Sequence, residues 1–187
     1  MSDQEITLYA GADAFGDGSH PTTQMMLAAL DAIDTQTFTP SAVCDMGCGA
    51  GLLAICAAQK FTCPVIAVDI EKSAVEATRE NALRNNIPSP LQGEGYVIPL
   101  QADGFNHPTI TAHAPYDLIL MNLLEKPLIA LAYAAHKHLA AEGVLIMSGI
   151  LSWQEAGIIE TYKALGLGLL HRLQQGDWVA LLWIRGA

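Results

Sequence analysis

The chain is short of positive charge. Nine Lys and Arg stand against nineteen Asp and Glu in 187 residues, a formal net charge of -10. The nine are scattered and form no basic run. Nucleic-acid binders present a basic face to the phosphates, so direct binding of DNA or RNA is not expected. A basic protein partner suits such a surface better. Long apolar runs are also missing. Stretches such as Leu118–Leu124 fall well short of the roughly 18 residues that a membrane span needs, so no membrane role is expected. The opening MSDQEITLY is polar and acidic, unlike a secretory or transit leader. Cys44, Cys48, Cys56 and Cys63 contain no C-x-x-C pair, and no His stands near them at zinc spacing. They read as four buried, reduced thiols of a cytoplasmic protein, and no metal is expected. There is no internal repeat, low-complexity segment or linker. With 51% hydrophobic and 15% charged residues, the chain is expected to form one domain over residues 1–187 with a substantial core.

From residue 40 onward, short β-rich runs alternate with longer amphipathic ones. Strands are expected at Ala42–Met46, Val65–Asp69, Tyr96–Gln101, Tyr116–Asn122 and Val144–Ser148. Helices are expected at Leu52–Lys60, from Lys72 to Asn85, from Pro127 to Ala141 and around Trp153–Leu165. The stripe Val75, Thr78, Ala82 has helical spacing, and Glu80 precedes Arg84 by four residues, a favourable order. Met25, Met26 and Leu30 form the sheet-facing side of an earlier helix. Tyr116–Asn122 is almost wholly apolar, as in a strand covered on both faces. Alternation of this kind predicts an α/β fold, a mostly parallel sheet with helices on both faces. Leu167–Leu173, a Gln174-Gln175-Gly176 turn and Trp178–Arg185 then read as a C-terminal antiparallel hairpin.

The strongest local signal is Asp45-Met46-Gly47-Cys48-Gly49-Ala50-Gly51, between a strand and a helix. Glycines there permit a sharp turn and let a ligand approach the main chain. Asp69 ends the next strand, 22 residues after Gly47. An acid in that place accepts hydrogen bonds from the two ribose hydroxyls of a nucleoside. Gly49 to Ala54 also fits G-x-G-x-x-A, the dinucleotide fingerprint, so a nicotinamide-dependent oxidoreductase is one alternative. Asp45 weighs against it. A carboxylate beside the turn repels a pyrophosphate and favours a cationic ligand such as S-adenosyl-L-methionine.

D-x-G-x-G-x-G with an acid at the following strand end resembles the class I S-adenosylmethionine-dependent methyltransferases. That resemblance implies a Rossmann-like seven-stranded sheet whose last strand is antiparallel. Six blocks in order narrow it: AFGDGSHPTT, CDMGCGAGLLAI, VDIEKSAVEATRENALRN, MNLLEKPLIAL, GVLIMSGIL and GDWVALLWIR. Together they resemble the bacterial ribosomal-protein methyltransferase family called PrmA, from about Ala14 to Arg185. The likeness implies a cofactor site built from Phe15, Thr22, Thr23, Asp45, Gly47, Cys48, Gly49, Gly51, Asp69, Ile70 and Asn122. An acid in the position of Asp103 meets the adenine amine in many class I enzymes. The family places a separate substrate-recruiting domain ahead of this one, and its absence is expected here. Asp17 replaces the usual Thr of the first block.

In that block Pro21 suits the first turn of a helix, Ser19 or His20 can cap it, and Thr22 and Thr23 present hydroxyls and free amides to an acceptor. His20 has two readings, a cap or a group that orients substrate or takes a proton. Related N-methyltransferases grip the target nitrogen with N-P-P-Y at the position of Asn122. Here the four residues are Asn122-Leu123-Leu124-Glu125, so the amide oxygen alone remains to accept from an amine. No dedicated base is evident; His20, Asp17 and Glu125 are the weak candidates. Ser148–Leu151 is expected to line the substrate opening. The expected activity is methyl transfer to a lysine or other amine of a ribosomal or other basic protein. Alternatives are a small-molecule methyltransferase on the same fold, with a small amine as one acceptor, and a domain that binds the cofactor without catalysis.

Overall fold

Two helices of this chain start on His-Pro-Thr. In the computed structural model, which describes residues 18–88 and 95–186, α1 covers Pro21–Asp31 and α4 covers Pro108–His113. Each has Pro at its first position and a preceding histidine, His20 or His107, whose ring accepts from the amide of Thr22 or Thr109. Proline costs nothing there because that amide has no intrahelical acceptor. The other helices are α2 (Leu52–Phe61), α3 (Lys72–Arg84), α5 (Glu125–His138) and α6 (Glu155–Ala164). The strands are β1 (Val43–Met46), β2 (Val65–Asp69), β3 (Val97–Gln101), β4 (Tyr116–Asn122), β5 (Leu139–Leu151), β6 (Leu167–Gln175) and β7 (Trp178–Arg185).

The strands form one seven-stranded sheet in the order β3-β2-β1-β4-β5-β7-β6. All neighbours are parallel except β7, which is antiparallel to both β5 and β6. The central strands are buried on both faces, which explains their unbroken apolar runs. Alternate residues divide into two cores. Cys44, Met46, Val68, Ile119 and Met121 face one way, with Leu128 of α5 and Ile158 of α6. Val43, Val65, Ala67, Leu118 and Leu120 face the other, with Met26 of α1 and Ile55 of α2. The expected Met25, Met26 and Leu30 face of α1 is buried. So is the Val75, Thr78, Ala82 stripe of α3, and Glu80 meets Arg84 at 2.8 Å.

Three elements depart from the sequence reading. α4 was not anticipated. α5 begins at Glu125, with Pro127 inside its first turn where no amide is needed, and stops at His138. The chain then enters β5 directly at Leu139, so β5 runs thirteen residues and not the expected five. Its early part pairs Leu139 with Tyr116 across an irregularity. Cys44, Cys48 and Cys63 are buried and Cys56 is only partly so; all four are free thiols. Among the described residues no helix is long and apolar enough to cross a membrane.

Candidate active site

The strand order reverses between β1 and β4, and in such sheets ligands enter at the carboxyl ends beside that reversal. The β1–α2 turn and the β4–α5 turn meet there. A Cβ at Gly47 would lie 2.3 Å from Cδ2 of Leu123, so a side chain there would have to displace Leu123 and adopt a φ of 79°. Gly47, Gly49 and Gly51 all have positive φ, at 79°, 54° and 84°. The amides of Gly47 and Cys48 both donate to the Val68 carbonyl, at 2.8 and 2.9 Å, tying the turn to the end of β2.

Asp69 is built into this turn. Its Oδ2 accepts from the Gly49 amide and its Oδ1 from the Glu71 amide, each at 3.0 Å. Each carboxylate oxygen retains a further lone pair for a ligand hydroxyl. Beside it Ile70 is 59% exposed, an apolar surface left to solvent at the mouth of the site.

A cavity of about 650 Å³ opens at this edge. Thr23, Gly47, Cys48, Gly49, Asp69, Ile70, Asp103 and Asn122, all expected from sequence, line it. Thr23 belongs to the first sequence block and Asn122 to the fourth, 99 residues apart. Asn122 Nδ2 donates to Thr23 Oγ1 at 3.3 Å, leaving the amide oxygen as an acceptor.

Other expected residues lie off the cavity. His20 caps α1, its Nδ1 is 2.8 Å from Thr22 Oγ1, and its ring stands edge-on to Trp178 at 5.0 Å. Thr22 is buried and turned to that ring. Gly51 is the left-handed N-cap of α2. Ser148 is buried, donating to the Val179 carbonyl, and Gly149 packs against the Leu123 backbone; the Ser148–Leu151 segment supports the β4–α5 turn and does not line the opening. Glu125 accepts from Gln154 at 2.9 Å and is also off the cavity. Phe15 and Asp17 lie outside the described residues.

Asp45 is 1% exposed and also off the lining, one residue before Met46, which is on it. Neither carboxylate oxygen has a hydrogen-bond partner among the described residues. Burial pushes its carboxyl up to about 7, the nearby Ala54 amide pulls the other way, and the Asp69 charge adds to the rise. A buried unpartnered carboxylate next to a ligand cavity awaits a cation or a proton.

Two features escaped the sequence reading. One wall of the cavity is the first turns of α5, with Leu123, Lys126, Pro127, Ala130 and Leu131. The glycine turn is also propped from α3, through Thr78, Asn81 and Asn85. Thr78 Oγ1 donates to the Gly49 carbonyl at 2.9 Å, Asn81 Nδ2 to the Ala50 carbonyl at 2.8 Å, and Asn85 Nδ2 to the Asn81 carbonyl at 2.8 Å.

A seven-stranded sheet of this order, with β7 reversed and a glycine turn and acid at its switch point, is the class I methyltransferase fold. N-methyltransferase NodS from Bradyrhizobium japonicum, solved in complex with S-adenosyl-l-homocysteine, has it too: TM-score 0.68 at 15% identity, over 90% of each chain. The family model for ribosomal protein L11 methyltransferase (PrmA) matches residues 2–185, and the chain belongs to that family. The ribosomal protein L11 methyltransferase of Brucella suis is 36% identical over 179 residues, 96% of this chain and 60% of its own length. That of Rhodopseudomonas palustris is 37% identical over 169 residues, 90% of this chain and 55% of its own. The chain therefore spans less than two thirds of these curated relatives. The ribosomal protein L11 methylase of Lactobacillus delbrueckii superposes with TM-score 0.81 at 30% identity, over 100% of this chain and 89% of that one.

Proposed function

We propose that the chain, as one domain, binds S-adenosyl-L-methionine in the β1/β4 cavity and transfers its methyl group to a protein amine. The observation that carries this reading is the gathering of Asp69, the glycine turn, Thr23 and Asn122 around one cavity. The residues fit the cofactor. Asp69 offers acceptors to ribose hydroxyls, Ile70 offers an apolar face to a base, and Asp103 an acceptor to an exocyclic amine. The orphaned carboxylate of Asp45 supplies negative charge for the cationic end. Thr23, at the start of α1, sits where a helix N-terminus favours a carboxylate.

When bound, the sulfonium supplies an already activated methyl group. What remains for the protein is alignment and exclusion of water. The Asn122 amide oxygen accepts from the acceptor N–H and so directs the nitrogen lone pair into the cavity. The acceptor must be neutral, yet a free lysine amine titrates near 10.4. Apolar walls from Leu123, Pro127 and Leu131 favour the neutral form by desolvation. The ionisable side chains lining the cavity are Cys48, whose thiol burial pushes well up, and Asp69, Asp103 and Lys126. Asp69 is tied to two amides and Asp103 is assigned to the base of the cofactor, so the proton passes to solvent water.

The relatives are named for a ribosomal protein, and the net charge of -10 suits a basic substrate of that kind. The test is transfer of labelled methyl from S-adenosylmethionine into an extract of the source cells, resolved by size, with Asp69→Ala as control. Label in a discrete protein band, lost in the variant, is expected. Label confined to small molecules would overturn the protein acceptor.

A further inference from the structure

We infer that Thr78 is a positioning residue for the nucleoside-binding acid, acting on Asp69 through the backbone on either side of Gly49. The inference rests on the cofactor reading above and concerns how its site is held in shape. Thr78 is fully buried on α3, although a hydroxyl in a core is unfavourable unless it is bonded. Its bonds all go to the glycine turn. Oγ1 donates to the Gly49 carbonyl at 2.9 Å and lies 3.3 Å from Cys48 Sγ, which can donate to it in turn. The same Thr78 side chain fills the space left by the missing Cβ of Gly51, where a Cβ would come within 2.7 Å of Cγ2 and 2.8 Å of Oγ1.

The consequence follows from the other side of Gly49. A glycine with φ of 54° has no side chain to fix its orientation, and glycine loses the most freedom on being fixed. Thr78 holds the peptide on the carbonyl side of Gly49 and touches Cys48 on the amide side, so both flanks of this α-carbon are held. The Gly49 amide then points at Asp69 Oδ2, 3.0 Å away, and this bond orients the carboxylate together with the one from Glu71 to Oδ1. Asn81 does the same for the next carbonyl, Ala50, and is itself fully buried and bonded through its own carbonyl by Asn85. Without the α3 anchor the φ and ψ of Gly49 are freer to change, and its amide can swing away from Asp69. Asp69 then loses the direction of its free lone pairs.

The experiment is a double-mutant cycle read by calorimetric titration with S-adenosylhomocysteine, with a thermal melt for each protein. Thr78→Ala is expected to weaken binding about tenfold. Thr78→Ser, which keeps the hydroxyl, is expected to stay within about twofold of wild type. In an Asp69→Ala background, Thr78→Ala is expected to add less than about twofold, because its effect passes through the acid. A merely structural role would lower the melting temperature equally in both backgrounds and multiply with the Asp69 loss. If Thr78→Ala does not fold, Thr78→Val takes its place in the cycle. Wild-type affinity in the hydroxyl-less variant, or multiplying losses, would overturn the inference alone. No binding by the wild-type protein would overturn the cofactor reading, and the inference with it.

Discussion

Replacing Asp45 by Asn sets stability against ligand binding. Asp45 is buried without a hydrogen-bond partner among the described residues, and its carboxyl is held at about 7 instead of 3.8. The folded value lies above the unfolded one, so the folded state binds the proton more tightly. Asp45 therefore costs nothing below about pH 4. The cost grows as pH rises and levels off above about 7. At 1.36 kcal/mol per pH unit, its ionisation makes the ligand-free fold less stable by at most about 4 kcal/mol at pH 8. Asn has the same shape and no charge. Asp45→Asn should gain about 2–4 kcal/mol over wild type at pH 8 and almost nothing at pH 4. It should also bind S-adenosylhomocysteine, with its ammonium group, more weakly. Urea unfolding followed by far-ultraviolet circular dichroism at a series of pH values gives both curves. Other groups titrate in both proteins, so the difference between the curves isolates Asp45. Parallel curves, or a gain at pH 4 as large as at pH 8, would refute the reasoning.

Three other substitutions probe the site and its frame. Gly149→Ala should cost about 3 kcal/mol or more, because its Cβ would lie 2.1 Å from the Leu123 carbonyl oxygen at a φ of 88°. A thermal melt checks this, and a loss below about 1 kcal/mol would mean that the β4–α5 turn yields freely. Asn122→Ala should lower methyl transfer about a hundredfold while S-adenosylhomocysteine affinity stays within about threefold; equal losses in both would make Asn122 a binding residue only. Trp183→Phe should change stability by no more than about 1 kcal/mol, since it loses ring area but also removes a buried indole N–H with no partner among the described residues. Denaturant unfolding decides, and a loss above about 3 kcal/mol would show that the N–H is satisfied in solution.

Periodicity and turn chemistry made the sheet legible. Val65–Asp69, Tyr116–Asn122 and Trp178–Arg185 begin and end where the runs of β-branched and apolar residues do. α4 was missed, although His107-Pro108-Thr109 repeats the His-Pro-Thr that opens α1, because six residues are too few to show a helical period. The length of β5 was hidden by Leu139 to Ala141, which read as the end of an alanine-rich helix, and by Gly143, which read as the lead into the strand. In the site, the residues carried by local motifs were found: the glycine turn, Asp69 after a strand, Asn122 at a strand end. What local pattern does not carry is the direction of a carbonyl. Thr78 and Asn81 looked like core and helix residues because their partners, Gly49 and Ala50, lie 29 and 31 residues away. The α5 wall, with Lys126, belongs to the cavity only because β4 and β1 are neighbours. The histidine that stood out in the sequence turns to capping α1 and to Trp178.

The most direct measurement is calorimetric titration of the wild-type protein and Asp69→Ala with S-adenosylhomocysteine, and separately with a nicotinamide dinucleotide. The account predicts saturable binding of S-adenosylhomocysteine at one site per chain, weakened roughly thirtyfold but still measurable in Asp69→Ala, and no binding of the dinucleotide. Binding of the dinucleotide in place of S-adenosylhomocysteine, or binding indifferent to Asp69, would contradict it.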